Sequence, residues 1–235
     1  MPCQTSSQVT LPELQNQQLA CRRCMRLIEW CDEAAHNPPA RFRGQSYHNG
    51  PVNSWGDAEA RLLIVGLAPA AHGANRTGRL FTGDKSGEWL FRALHKAGFA
   101  SQPNSTHKGD GLELHDCLIS CAVHCAPPDN KPLPSELRAC RPFLLDELRL
   151  LMRLRVVVGL GKIGFDCAFD ALKEAGLSSL KTRPKFAHGA QCELAPKLWL
   201  VGSFHPSQQN TFTKRLTEPM FDDVFQKANE ILSAE

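Results

Sequence analysis

Two pairs of cysteines carry the clearest chemistry in this chain. Cys21-Arg-Arg-Cys24 sets two thiols three residues apart, close enough to bind one metal centre together. Cys125 and Cys140 form a second pair, separated by a proline-rich loop and the start of a helix. Four thiolates from two segments satisfy either a tetrahedral zinc ion or a cubane iron–sulfur cluster, and spacing does not choose between them. Cys3, Cys31, Cys117, Cys121, Cys167 and Cys192 read as small buried apolar residues or tolerated surface thiols. The polar stretch from Met1 to Asn16 lacks the basic start and apolar middle of a signal peptide, so an intracellular, cytoplasmic protein is expected. In a reducing compartment cysteines serve ligation before disulfides.

Two loops have the composition of ligand sites. Gly66-Leu-Ala-Pro-Ala-Ala-His-Gly-Ala-Asn-Arg-Thr-Gly-Arg-Leu-Phe-Thr-Gly-Asp84 is rich in small residues, so a ligand can approach its backbone closely. It lacks the Lys-Ser/Thr ending of a mononucleotide phosphate loop. Ser203-Phe-His-Pro-Ser-Gln-Gln-Asn-Thr-Phe-Thr-Lys-Arg-Leu-Thr217 carries one histidine, His205, fixed by the proline after it.

The elements that must position these loops follow from hydrophobic patterning. Apolar runs at Arg61–Gly66, Cys117–Val123, Arg155–Gly159 and Leu198–Gly202 read as strands buried on both faces. Helices are expected over Leu11–Trp30, Ser86–Gly98, Ser135 to about Met152, Lys162–Gly176 and Glu218–Leu232. Alternating strands and helices with unbroken apolar strands imply a three-layer α/β/α sandwich around a four-stranded parallel sheet. Ligands in such folds bind at the carboxyl ends of strands, where these loops lie. With 235 residues, 42% hydrophobic and 22% charged, the chain suits one soluble domain, whose first 60 residues supply two of the paired cysteines. A net charge of +3 permits nucleic acid without demanding it, and no apolar run is long enough to span a membrane.

Together with Cys125-Ala-Pro-Pro-Asp-Asn-Lys-Pro132, the two loops resemble the family 5, type B, uracil-DNA glycosylases, and the resemblance spans roughly Cys21 to Phe225. It implies an α/β/α fold, a [4Fe-4S] cluster on Cys21, Cys24, Cys125 and Cys140, and removal of uracil from DNA by a monomer. Base removal requires extruding the nucleotide and stabilising a departing base anion. Many related glycosylases carry an acid two residues after Gly66; this chain has Ala68 there. Asn75 and Asp84 are the candidates to orient water instead. The resemblance makes His205 the donor to the uracil oxygen and Phe81 the aromatic that stacks on the flipped base. The position where related branches read the uracil edge with an Asn is Cys121, so a tolerant pocket follows, with Asn130 as a possible substitute.

Arg76, Arg79, Lys131, Lys214 and Arg215 flank these loops and read as phosphate contacts. Leu216 or Phe212 is the candidate wedge into the duplex. Two other functions fit the residues: a non-catalytic iron–sulfur DNA-damage binder, and a zinc-stabilised nucleotide-binding protein.

Overall fold

The computed structural model of the protein describes residues 9–234, so Cys3 and the beginning of the polar N-terminal stretch lie outside the described residues. Four parallel strands form its centre: β2 (Leu62–Gly66), β3 (Cys117–Cys121), β4 (Val156–Leu160) and β6 (Leu198–Ser203). Two short antiparallel strands, β1 (Trp55–Gly56) and β5 (Gln191–Ala195), close the edges, giving the order β1-β3-β2-β4-β6-β5. The expected four-stranded parallel sheet is therefore the core of a six-stranded mixed one. Two residues of β1 are too few to show a period. β5 is largely accessible and lacks the apolar run that marked the others.

Alternate residues of each central strand feed opposite cores, the pattern of a sheet covered on both faces. Leu62, Ile64, Val156 and Val158 face α4 (Lys85–Lys96) and α8 (Glu218–Ser233). Leu63, Val65, Val157 and Leu200 face α5 (Pro134–Leu150) and α6 (Gly161–Glu174).

The helix expected over Leu11–Trp30 is two helices, α1 (Leu11–Ala20) and α2 (Met25–His36). The chain leaves helical geometry at Cys21, which is extended, and re-enters a helix after Cys24, so the cysteine pair brackets the break. Periodicity reads across such a break because both helices pack an apolar side, with Leu14 and Leu27 in one small core beside Cys125, Cys140 and Phe143. Two further short helices lie inside the ligand loops, α3 (Ala74–Thr77) and α7 (Gln208–Phe212). Among the described residues no helix is long and apolar enough to cross a membrane.

Candidate active site and cysteine cavity

The loop after β2 leaves the middle of the sheet and returns at the start of α4, where Asp84 caps the helix by accepting from the Gly87 N–H at 2.9 Å. Its carboxylate presses on Gly73: a Cβ built there would stand 2.2 Å from Asp84 Oδ2. Burial pushes the Asp84 carboxyl above the usual aspartate range, against two backbone hydrogen bonds that pull it down. The carboxylate helps line a cavity of about 560 Å³. Asn130 lines the same cavity from the tight turn after Pro127-Pro128, as do His72, Trp30, Phe42 and Gln208. Asp129 and Asn130 both hold positive φ, 53° and 55°, a conformation Asn and Asp tolerate better than most residues.

Phe81 and His205 stack on each other, with ring centroids 6.0 Å apart and planes tilted by 30°, and neither lines this cavity. Each lies three residues from a cavity-lining residue, Asp84 and Gln208 respectively. Phe81 has φ of 55°, a left-handed conformation that costs a bulky residue energy and persists where surrounding structure enforces it. Two glycines leave room for it. A Cβ at Gly66 would meet the Phe81 ring at 3.0 Å, and one at Gly87 would overlap its carbonyl oxygen at 1.8 Å. His205 leaves the end of β6, its carbonyl accepting from Asn210 Nδ2 at 2.8 Å. Burial lowers its pKa to about 4, so the ring is neutral near pH 7.

Several sequence expectations are corrected by these placements. Asn75 is fully buried, and its Nδ2 donates to the Cys31 and Ala71 carbonyls while its Oδ1 accepts from the Gly50 N–H. Both amide hydrogens are committed to backbone, so Asn75 shapes the loop rather than orienting water. Arg79 is buried, paired with Asp110 at 2.7 Å and bonded to Thr82 and Ser105, which removes it from any phosphate surface. Arg76 spends its guanidinium on the His72 and Gly83 carbonyls and on Gln45. The Cys121 thiol is buried and donates to the Val123 carbonyl at 3.1 Å. Ala68 packs beside the small core around Cys125 and does not line the larger cavity. Leu216 is fully buried, whereas Phe212 is 76% exposed, so of the two wedge candidates only Phe212 reaches solvent. Lys131, Lys214 and Arg215 are exposed.

Cys21, Cys24, Cys125 and Cys140 line a second, small recess with Leu27, Val123 and Phe143. Cys140 Sγ accepts from the His124 N–H at 3.3 Å, and burial pushes its thiol up to about 12. Burial and the neighbouring Glu136 and Cys21 raise the Cys24 thiol. Cys31 and then burial raise that of Cys125. Among the described residues no three such side chains converge tightly enough to chelate one ion; the four thiols line one wall-to-wall space instead.

The sequence profile of the Uracil DNA glycosylase superfamily matches residues 54–232. The chain belongs to that superfamily. Within it, the chain is 45% identical to a type-5 uracil-DNA glycosylase of Mycobacterium leprae over 223 residues, covering 94% of this chain and 96% of the relative. It is 47% identical to the type-5 enzyme of Thermus thermophilus over 212 residues, 90% of this chain and 94% of that one. A type-4 uracil-DNA glycosylase of Thermotoga maritima is more distant, 27% identical over 153 residues, 65% of this chain and 67% of the relative.

Part of the cavity lining comes from outside the region that the superfamily profile matches. Trp30, Arg41 and Phe42 line the cavity but precede the matched region. The stretch from His36 to Gly56 shows only Pro and Gly punctuation in sequence, so nothing there marked Arg41 or Phe42, and Trp30 was read only as the end of a helix. Tyr47, whose hydroxyl meets His72 Nδ1 at 2.9 Å, was equally silent.

Proposed function

We propose that this superfamily member hydrolyses the N-glycosidic bond of uracil, and of other deaminated or modified bases, in DNA, working as a monomer inside the cell. The observation that carries this reading is a cavity lined by Asp84, Asn130 and Gln208, whose two loops also bring Phe81 and His205 into ring contact. In the reaction a water oxygen bonds to the sugar C1′ as the C1′–N bond breaks, and the base leaves as an anion. Asp84 accepts the water's proton, and its raised pKa suits it to do so. Neutral His205 donates a hydrogen bond to the oxygen where the anion's charge develops. Phe81 stacks on the extruded base, and Asn130 offers the amide that Cys121 does not. Lys131, Lys214 and Arg215 meet the phosphates, and exposed Phe212 fills the gap in the duplex.

The direct test is incubation of the purified chain with uracil-containing duplex, followed by alkali to cut abasic sites. Cleavage is expected with uracil in a mismatch, and also with hypoxanthine, because the Cys121 thiol is turned onto its own loop. Binding of uracil duplex without any cleavage would replace this reading with the non-catalytic damage binder, which no present observation favours.

We infer further that Cys21, Cys24, Cys125 and Cys140 hold a [4Fe-4S] cluster, a reading supported by the chemistry of four thiols lining one recess. Four thiols drawn from the α1–α2 break, the loop after β3 and α5 enclose one apolar space, and the His124 N–H already points at Cys140 sulfur. A cationic centre would turn thiols held protonated by burial into thiolates. Bound there, the cluster would serve as a cross-link tying the N-terminal helices to the sheet. Anaerobically purified protein is expected to be brown, with broad visible absorbance and about four irons per chain. Cys125→Ser or Cys140→Ser should lose colour and stability together, while Cys167→Ser keeps both. A colourless protein holding stoichiometric zinc would overturn the assignment.

A further inference from the structure

The segment from Ala40 to Gly50 lies as a strap across the catalytic loop. The His48 and Asn49 N–H groups donate to the Arg76 and Asn75 carbonyls, and the His48 ring packs on Gly78. Near the start of the strap, Phe42 stacks on His72, with centroids 6.1 Å apart. Two guanidiniums cover that ring, Arg76 at 4.4 Å and Arg41 at 4.7 Å from its centroid. These two arginines differ in one respect. Arg76 is consumed by three hydrogen bonds to the protein. Arg41 is exposed, and among the described residues it makes no hydrogen bond or ion pair.

Arg41 also lines the 560 Å³ cavity. The other cation on that lining, Lys85, is tied to Glu88 at 2.8 Å. His72 is held neutral by burial and by the nearby Arg41 and Arg76. A guanidinium stacked on an aromatic ring is oriented without spending its five donors. Such a group on a cavity wall can donate two parallel N–H bonds to a singly charged oxyanion, and the two non-bridging oxygens of a backbone phosphodiester present that acceptor pair.

We propose that Arg41, carried on Phe42, binds a backbone phosphate beside the extruded nucleotide, so that the strap is part of the DNA-binding surface. This rests on the glycosylase reading above. Phe42 sets the orientation, His72 and Arg76 hold Phe42, and Tyr47 holds His72.

The test is the salt dependence of equilibrium binding to uracil-containing duplex, measured with the full-length chain. Arg41→Ala should flatten the plot of log affinity against log salt by about 0.9, one phosphate's worth, and Arg41→Glu should weaken binding further. Phe42→Leu should lose part of the same increment by freeing Arg41. Replacing the phosphates flanking uracil one at a time with neutral methylphosphonates should weaken the native chain at one linkage and leave Arg41→Ala indifferent there. Arg43→Ala, exposed on the same strap but absent from the cavity wall, should behave as the native chain. An unchanged slope for Arg41→Ala, with uracil excision intact, would overturn the strap assignment and spare the glycosylase reading. A native chain that neither bound nor cleaved uracil duplex would overturn both.

Discussion

Asp84→Asn should yield a well-folded protein that excises uracil roughly 10²–10⁴-fold more slowly, the range that positioned acid–base groups contribute. The substitution separates two roles held by one side chain. Asn is as good a helix cap as Asp, so the bond from the Gly87 N–H should survive at 2.9 Å or near it. It cannot accept a proton from water. The raised pKa of Asp84 also fixes the sign of the stability change. Between its unfolded pKa, about 3.9, and its higher folded value, the native state binds more protons than the unfolded one. Stability therefore falls as pH rises through that window, and at neutral pH the buried charge is a burden on the fold. Asp84→Asn should melt no lower than the native chain at pH 7. The native rate should fall in acid from a pH above the ordinary aspartate range, and that limb should vanish in the variant. A loss of threefold or less in single-turnover rate would leave Asp84 as a cap and nothing more.

His205→Ala should retain colour and duplex binding yet lose roughly 10²–10³ in single-turnover excision, about 2.7–4 kcal/mol. A fixed donor is worth this much where water is scarce, and no acid follows Gly66 at Ala68 to share the barrier. Because burial holds the His205 pKa to about 4, the imidazole is neutral across the physiological range. No kinetic limb near 6.5 should belong to it. His205→Gln, a neutral donor, should recover part of the loss. Single-turnover conditions matter because slow product release can hide the chemical step. Full activity in His205→Ala would return the residue to a structural role at the end of β6.

Central strands and most helices were legible because burial on two faces leaves unbroken apolar runs that no loop shares. The edge strands were not, being short or open to solvent. Asp84 was singled out as a polar residue at the end of the loop after β2, whereas the role given to His205 rested on the family resemblance, a bare His-Pro after a strand being more often structural. Arg79 misled because a basic residue in a polar loop looks like surface; its partner, Asp110, is 31 residues away and only folding unites them. Asn75 misled for a related reason: its acceptors, the Cys31 and Ala71 carbonyls, are main-chain groups that no residue type announces. Asn130 was visible as a polar residue, but only the turn at Asp129 and Asn130 brings it to the same cavity as Asp84. The strap carrying Arg41 and Phe42 left no signal at all, because a stacked cation has no spacing rule.

The cavity takes its lining from Trp30, Phe42, Asp84, Asn130 and Gln208, points spread along most of the chain. A chain emerging from the ribosome at roughly 5–20 residues per second therefore passes many seconds with no finished pocket. Contacts this distant in sequence also close late, since each long loop must be ordered before its ends reward it. An incomplete or truncated copy that stops short of His205 lacks both that residue and Gln208 on the pocket lining. In a protein whose proposed product is a break-prone abasic site, half-made copies would be harmless, because the ability to cut bases arrives with the last quarter of the chain.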